Sequence, residues 1–185
     1  MSTEKVALHN HQLDYLALAD PKFCQIFYGT VACDLLPAVV NQEGPTVYIV
    51  NTDPHDQPGK HWIALWTHDS VCELLDSYVL PLEEYKTTDP LIEWLRRHYK
   101  YQVHNDKPLQ SVFSQSCGDY ALMFLVLKAR GASMQDFLSL FSSHDFVSND
   151  RKVGSWLRAR IVDQLAWQQL KPADQTAIPC GLKLL

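Results

Sequence analysis

At 185 residues, with 46% hydrophobic and 20% charged side chains, the chain is long enough to bury one good core and is neither disordered nor fibrous in composition. A net charge of −5 argues against a polyanion partner, because nucleic-acid binders carry a basic excess or a basic stripe. No stretch approaches the length of a bilayer span and the start, MSTEKVALHNHQ, lacks a signal-peptide apolar run; the expectation is one intracellular domain in cytoplasm or nucleus, off the membrane and not secreted.

Along the chain the N-terminal part, residues 1–45, mixes short helical patterns broken at Pro21, Gly29 and Pro37. TVYIVNT (46–52) is β-branched and apolar, a buried strand. After the turn-rich DPHDQPGK come two further strand candidates, HWIALWT and VCELLDSY, separated by His68 and Asp69. In TTDPLIEWLRRHY, Asp89 reads as an N-cap and Pro90 as the first helical residue, with the helix running to about Tyr99. The next helix opens at Cys117 and ends at Gly131, and another is capped by Ser133 with Asp136 three residues on. A final amphipathic helix places Val153, Trp156, Leu157, Ile161 and Leu165 inward, and a loose tail follows from Lys171. Strands in the middle with helices around them make an α+β domain: a core over 46–131, C-terminal helices over 132–170, a tail over 171–185. Arg96, Arg97 and Lys100, and then Arg151, Lys152, Arg158 and Arg160, read as solvated helix faces.

Cysteine usage is that of a reduced protein: five residues (Cys24, Cys33, Cys72, Cys117, Cys180), scattered and without a C-x-x-C pair. His9 and His11 have no partner cluster nearby, so no metal site is expected.

Cys117 differs from the other four in its place. It heads a run, CGDYALMFLVLK, that is apolar nearly all round and therefore buried. Free N–H groups and aligned peptide dipoles at a helix start stabilise a thiolate. Gly118 would let another chain approach the sulfur. A thiolate nucleophile needs a base, and His61 begins a strand just after a glycine-containing turn. In a hairpin where Thr67 faces Ser70, His61 falls directly opposite Asp76, while Glu73 points to the other face. Taken alone, such a pair is an ordinary cross-strand contact. With Cys117 it supplies nucleophile, base and orienting acid for acyl transfer. An oxyanion donor is still required, and two glutamines, Gln110 and Gln115, precede the cysteine.

GKHWIALW, ELLDSY and LQSVFSQSCGDYALMFL together resemble the adenovirus protease (adenain) family and, more distantly, the proteases that process SUMO and related ubiquitin-like proteins. The order His, Asp, Cys matches that group and is reversed from papain; the resemblance covers residues 46–131. It implies an α+β cysteine protease fold with a mixed central sheet and the nucleophile heading a buried central helix. Catalytic roles would fall to His61, Asp76, Gln110 and Cys117, since Gln110 has the family's spacing before the cysteine and Gln115 becomes a capping or loop-packing residue. Trp62 matches a tryptophan that walls a narrow, glycine-favouring channel, so Trp62 and Gly118 are the expected substrate-binding residues.

The adenovirus enzymes are basic and use DNA and a disulfide-linked viral peptide, whereas this chain is acidic with no identifiable cofactor cysteine, so no cofactor is expected. The shorter relatives of large DNA viruses and Maverick/Polinton transposons look closer. They imply a monomeric thiol endopeptidase that matures capsid precursors and could travel in a virion. Cleavage of ubiquitin-like tails is the alternative within the same chemistry, and a non-catalytic interaction domain is the alternative outside it.

Overall fold

The computed structural model describes residues 7–41 and 43–168, with side chains to Ile161. Leu165 and the tail from Lys171, Cys180 included, lie outside the described side chains and residues.

Five strands form one mixed sheet in sequential order: β1 (Phe27–Ala32), β2 (Thr46–Asn51), β3 (Trp62–His68), β4 (Val71–Leu75) and β5 (Tyr101–His104). The two outer pairs are parallel, and the three central strands pair antiparallel. All of β2 is buried, in keeping with a run rich in β-branched and apolar residues in a strand covered on both faces.

One face packs α3 (Cys117–Lys128) on Val47, Ile49, Ala64 and Leu75, with Leu13 and Leu16 of α1 (Asn10–Leu18), Phe137 of α4 (Met134–Ser139), and Val153 and Leu157 of α5 (Phe146–Gln168) joining the same cluster. The other face packs Leu91, Ile92, Trp94 and Leu95 of α2 (Asp89–His98) on Tyr48, Val50, Ile63, Leu65 and Leu74. Helix α3 is buried from Cys117 to Val126, in keeping with its all-round apolar sequence.

Several expectations need correction. The N-terminal part is not wholly helical: FYGTVA forms β1, parallel to β2, with its register broken between Phe27 and Gly29 and Gly29 at φ 153°. That glycine marks a bulge inside a strand rather than a break. Strand β5, absent from the sequence reading, has all four residues exposed, so no alternation announced it. In α2 the N-cap is Thr88, which places Asp89 first and Pro90 second in the helix. Thr88 is not drawn into a side-chain cap, because its Oγ1 donates to the Leu82 and Tyr85 carbonyls.

Arg160 is not part of a solvated face. With Arg130 it binds the buried Asp20 carboxylate, which also accepts the Phe23 N–H. Burial opposes the charge on Asp20, but the backbone bond and the two guanidiniums win and hold its pKa below the usual carboxylate range. The ends of α1 and α3 are thereby joined to α5. The Ser133–Asp136 capping box forms as expected, and Gly131 takes the left-handed turn after α3.

Candidate active site

Strand β3 and β4 meet in a two-residue turn at Asp69 and Ser70, with Asp69 at φ 52° and His68 paired to Val71. This shifts the expected Thr67–Ser70 pairing by one residue at the same loop length, and puts Asp69, which tolerates the left-handed backbone, first in the turn. Extending the observed register past the ladder sets Tyr78 opposite His61, with Asp76 two positions away. A shift of two residues preserves the face, so His61 and Asp76 still converge, now diagonally. Glu73 lies on the other face, paired to Lys128 of α3 at 2.6 Å.

His61 Nε2 donates to Asp76 Oδ1 at 2.8 Å, and both side chains are buried. This leaves Nδ1 to meet the Cys117 thiol, which is hydrogen-bonded to the imidazole and also accepts from the backbone N–H groups of Trp62 and Gly118. Burial alone would push the thiol pKa up; the imidazole, by hydrogen bond and charge, and the two N–H groups outweigh it and hold Cys117 below the ordinary thiol range. Burial likewise works against the imidazolium, but the bonds to Asp76 and Cys117 raise His61 to about 9. The two directions together favour the thiolate–imidazolium pair over the neutral thiol–imidazole pair.

Asp76 is the most heavily bonded group of the site. Its carboxylate accepts from His61, from the N–H groups of Tyr78 (2.8 Å) and Leu80 (3.2 Å), and from the Tyr85 hydroxyl (2.6 Å). Desolvation opposes its ionisation, yet the His61 contact and these donors keep its pKa below the usual carboxylate value. Asn105 fixes the Asp76 backbone from both sides, accepting its N–H and donating to its carbonyl, each at 2.8 Å.

Gln110 is buried in the loop before α3. Its Oε1 accepts from Ser77 Oγ at 2.6 Å, and its Nε2 donates to Ser114 O at 2.9 Å and to the Tyr78 hydroxyl at 3.0 Å. Gln115 is exposed and accepts the Ala7 N–H at 3.0 Å, the loop-packing role expected of it.

Neither a family model nor a curated protein matches this chain by sequence. Solved structures do match. ChlaDub1 from Chlamydia trachomatis superposes with a TM-score of 0.54 at 15% identity, over 91% of this chain and 97% of its own. The ASFV protease superposes with a TM-score of 0.53 at 14% identity, over 80% of this chain and 66% of its own.

The chain has the fold of the adenain- and SUMO-protease-type cysteine proteases.

In two crystal structures of the ASFV protease the match covers 43% and 66% of that chain, under two thirds of its length. Within this protease fold His61, Asp76 and Cys117 come together in one buried cluster, and Gln110 reaches it through Tyr78. Trp62 is half-buried, donates its indole N–H to Leu8 O at 3.0 Å and packs against the α3 core cluster. At Gly118 the backbone packs closely against this chain's own residues. A Cβ there would lie 3.3 Å from both Leu13 and Trp62, so the missing side chain lets this chain's own residues close on the helix head, while the Gly118 N–H faces the sulfur.

Three participants escaped sequence reasoning. Tyr78 and Tyr85 both stack on the His61 ring, at 4.9 Å and 5.4 Å between centroids, and Asn105 braces Asp76. Tyr78 left a usable signal, an aromatic two residues after the candidate acid. Tyr85 and Asn105 lie in irregular segments with no periodicity to expose them.

Proposed function

We propose that this chain is a cysteine endopeptidase in which Cys117 is the nucleophile, His61 the general base and acid, Asp76 the orienting acid, and Gln110 with the Cys117 backbone N–H the oxyanion donors. The observation that carries the reading is the buried relay from Asp76 through His61 to a thiol that bears two backbone N–H donors. The thiolate attacks the scissile carbonyl, the imidazolium protonates the leaving amine, and water, deprotonated by His61, then releases the acid. The electrostatics lower the thiol and raise the imidazole, both toward the ion pair that attack requires.

For substrates we propose structural precursor proteins of a virus or transposon, cleaved near glycine in a channel bordered by Trp62, in a monomer acting inside cells. The fold likeness to the ASFV enzyme, a viral protease by name, supports this choice. The likeness to ChlaDub1 over nearly the whole of both chains supports the second reading, cleavage after the tails of ubiquitin-like proteins. Purified protein incubated with a peptide library carrying glycine beside the cleaved bond, and in parallel with ubiquitin-like C-terminal amide probes, decides between them. Cleavage of neither, together with alkylation of Cys117 no faster than of Cys24, would leave only a non-catalytic domain.

A further inference from the structure

We propose that the Tyr78 hydroxyl is a second side-chain donor to the oxyanion, acting beside the Gln110 amide. The inference rests on the protease reading above and adds a residue to its chemistry.

Both N–H groups of the Gln110 amide are occupied, one by Ser114 O at 2.9 Å and one by the Tyr78 hydroxyl at 3.0 Å. The Ser77 bond to Oε1 and the Ser114 bond to Nε2 suffice to fix the plane of the amide. An oxyanion that uses Gln110 is best served by the N–H now given to Tyr78, since the other makes the shorter bond, to a Ser114 carbonyl whose second donor is the long Tyr78 contact. The Tyr78 oxygen then loses its donor, and the nearest new charge is the same anion.

The hydroxyl proton is poorly used in the resting enzyme. It points at Ser114 O across 3.3 Å, beyond the 2.5–3.0 Å that O–H···O bonds prefer, and that carbonyl already holds the shorter Gln110 bond. A charge-assisted O–H···O⁻ bond is roughly twice as strong as a neutral one, so moving the proton from Ser114 to the oxyanion is favourable when the charge develops. The ring needs little reorganisation: it stacks on His61 at 4.9 Å, and its backbone N–H is held by Asp76. Burial, followed by the charge of Cys117, raises the Tyr78 pKa, which keeps the phenol a donor and places it in the field of the reacting sulfur.

The step balances without transfer of the phenolic proton. As the Sγ–C bond forms, the carbonyl π pair moves to oxygen, and Gln110 N–H and Tyr78 O–H each donate a hydrogen bond to it. On collapse the C–N bond breaks, the imidazolium proton goes to the leaving amine, and the hydroxyl returns to Ser114.

The test uses Tyr78→Phe, which keeps the ring stacked and removes only the hydroxyl. Expected are a fall in kcat of about 10²-fold with KM little changed, an equal weakening of a peptide aldehyde inhibitor, whose adduct carries the tetrahedral oxygen, and an unchanged rate of Cys117 alkylation by iodoacetamide, which forms no oxyanion. An active wild type with kcat and aldehyde affinity in Tyr78→Phe within about twofold of it overturns the proposal and leaves the protease reading standing. Alkylation falling in parallel with kcat also overturns it, because the hydroxyl would then be acting on the thiolate or His61. A wild type that neither cleaves peptides nor alkylates selectively at Cys117 sinks both.

Discussion

The Tyr85 hydroxyl reaches the Asp76 carboxylate at 2.6 Å while its ring lies nearly parallel to His61, at an interplanar angle of 10°. One residue thus touches both the base and the acid. Tyr85→Phe separates the two contacts: the stack stays, and a hydrogen bond to a buried charge is lost. Stability should drop by roughly 1.5–3 kcal/mol, measured by urea unfolding at neutral pH. The Asp76 pKa should rise, so the acid end of the stability profile moves to higher pH.

Replacing Asp76 tests the acid directly. In Asp76→Asn one oxygen can still serve His61 and the Tyr78 N–H, but the amide nitrogen then meets the Leu80 N–H, donor against donor. Activity should fall less than in Asp76→Ala, while both variants lose stability. Full activity in Asp76→Ala would show that another group orients His61.

The pH dependence follows from the directions of shift. Turnover should rise with pH as the thiolate forms below the ordinary thiol range, and fall as pH passes about 9 and His61 loses its proton. For stability the signs differ by group. The raised pKa of His61 contributes below its unfolded value of 6.5 and is lost as pH climbs through about 9. The lowered pKa of Asp76 contributes above its unfolded value of 3.8 and is lost as pH falls through the folded one. A rate profile with no alkaline fall between neutrality and pH 10 would contradict the thiolate–imidazolium assignment.

The two glutamines should separate cleanly. Gln110→Ala is expected to lower kcat by about 10²–10³ with KM little altered. Gln115→Ala removes, among the described residues, the tie to the Ala7 N–H and should leave kcat within about twofold of wild type. Steady-state kinetics on folded protein checks both, and the opposite ranking would overturn the assignment.

Val79 sits at φ 58°, a conformation that costs a β-branched residue free energy and costs glycine little. Val79→Gly should leave the turn after Asp76 intact, with stability unchanged or raised by up to about 1 kcal/mol, read from the urea midpoint. A loss above that size would mean that the Val79 side chain packs more than it strains.

The site was legible in the sequence where its chemistry is tied to regular structure. Cys117 stood at the head of a visibly buried helix, and His61 and Asp76 lay in one hairpin, where alternation places them on the same face even with the turn misjudged by a residue at each end. What escaped lay where periodicity carries no information. Tyr85 and Asn105 act from irregular segments, β1 was hidden by a glycine that serves as a bulge, and β5 has no buried side chain to betray it. The packing of Leu13 and Trp62 at Gly118 was not legible, because sequence shows that a side chain is missing, not which neighbour fills the space.

The antiparallel hairpin β3–β4 also governs the order in which the chain becomes reactive. Base and acid belong to one local unit only 15 residues apart, which can assemble early because it closes a short loop. The sulfur receives its activating N–H from Trp62 and its imidazole only when α3 docks on β3, a contact of longer range. Until then Cys117 keeps the pKa of an ordinary thiol. A nascent or partly unfolded copy therefore carries no activated nucleophile, and during refolding any preference of alkylation for Cys117 over Cys24 should appear only once the central helix is docked.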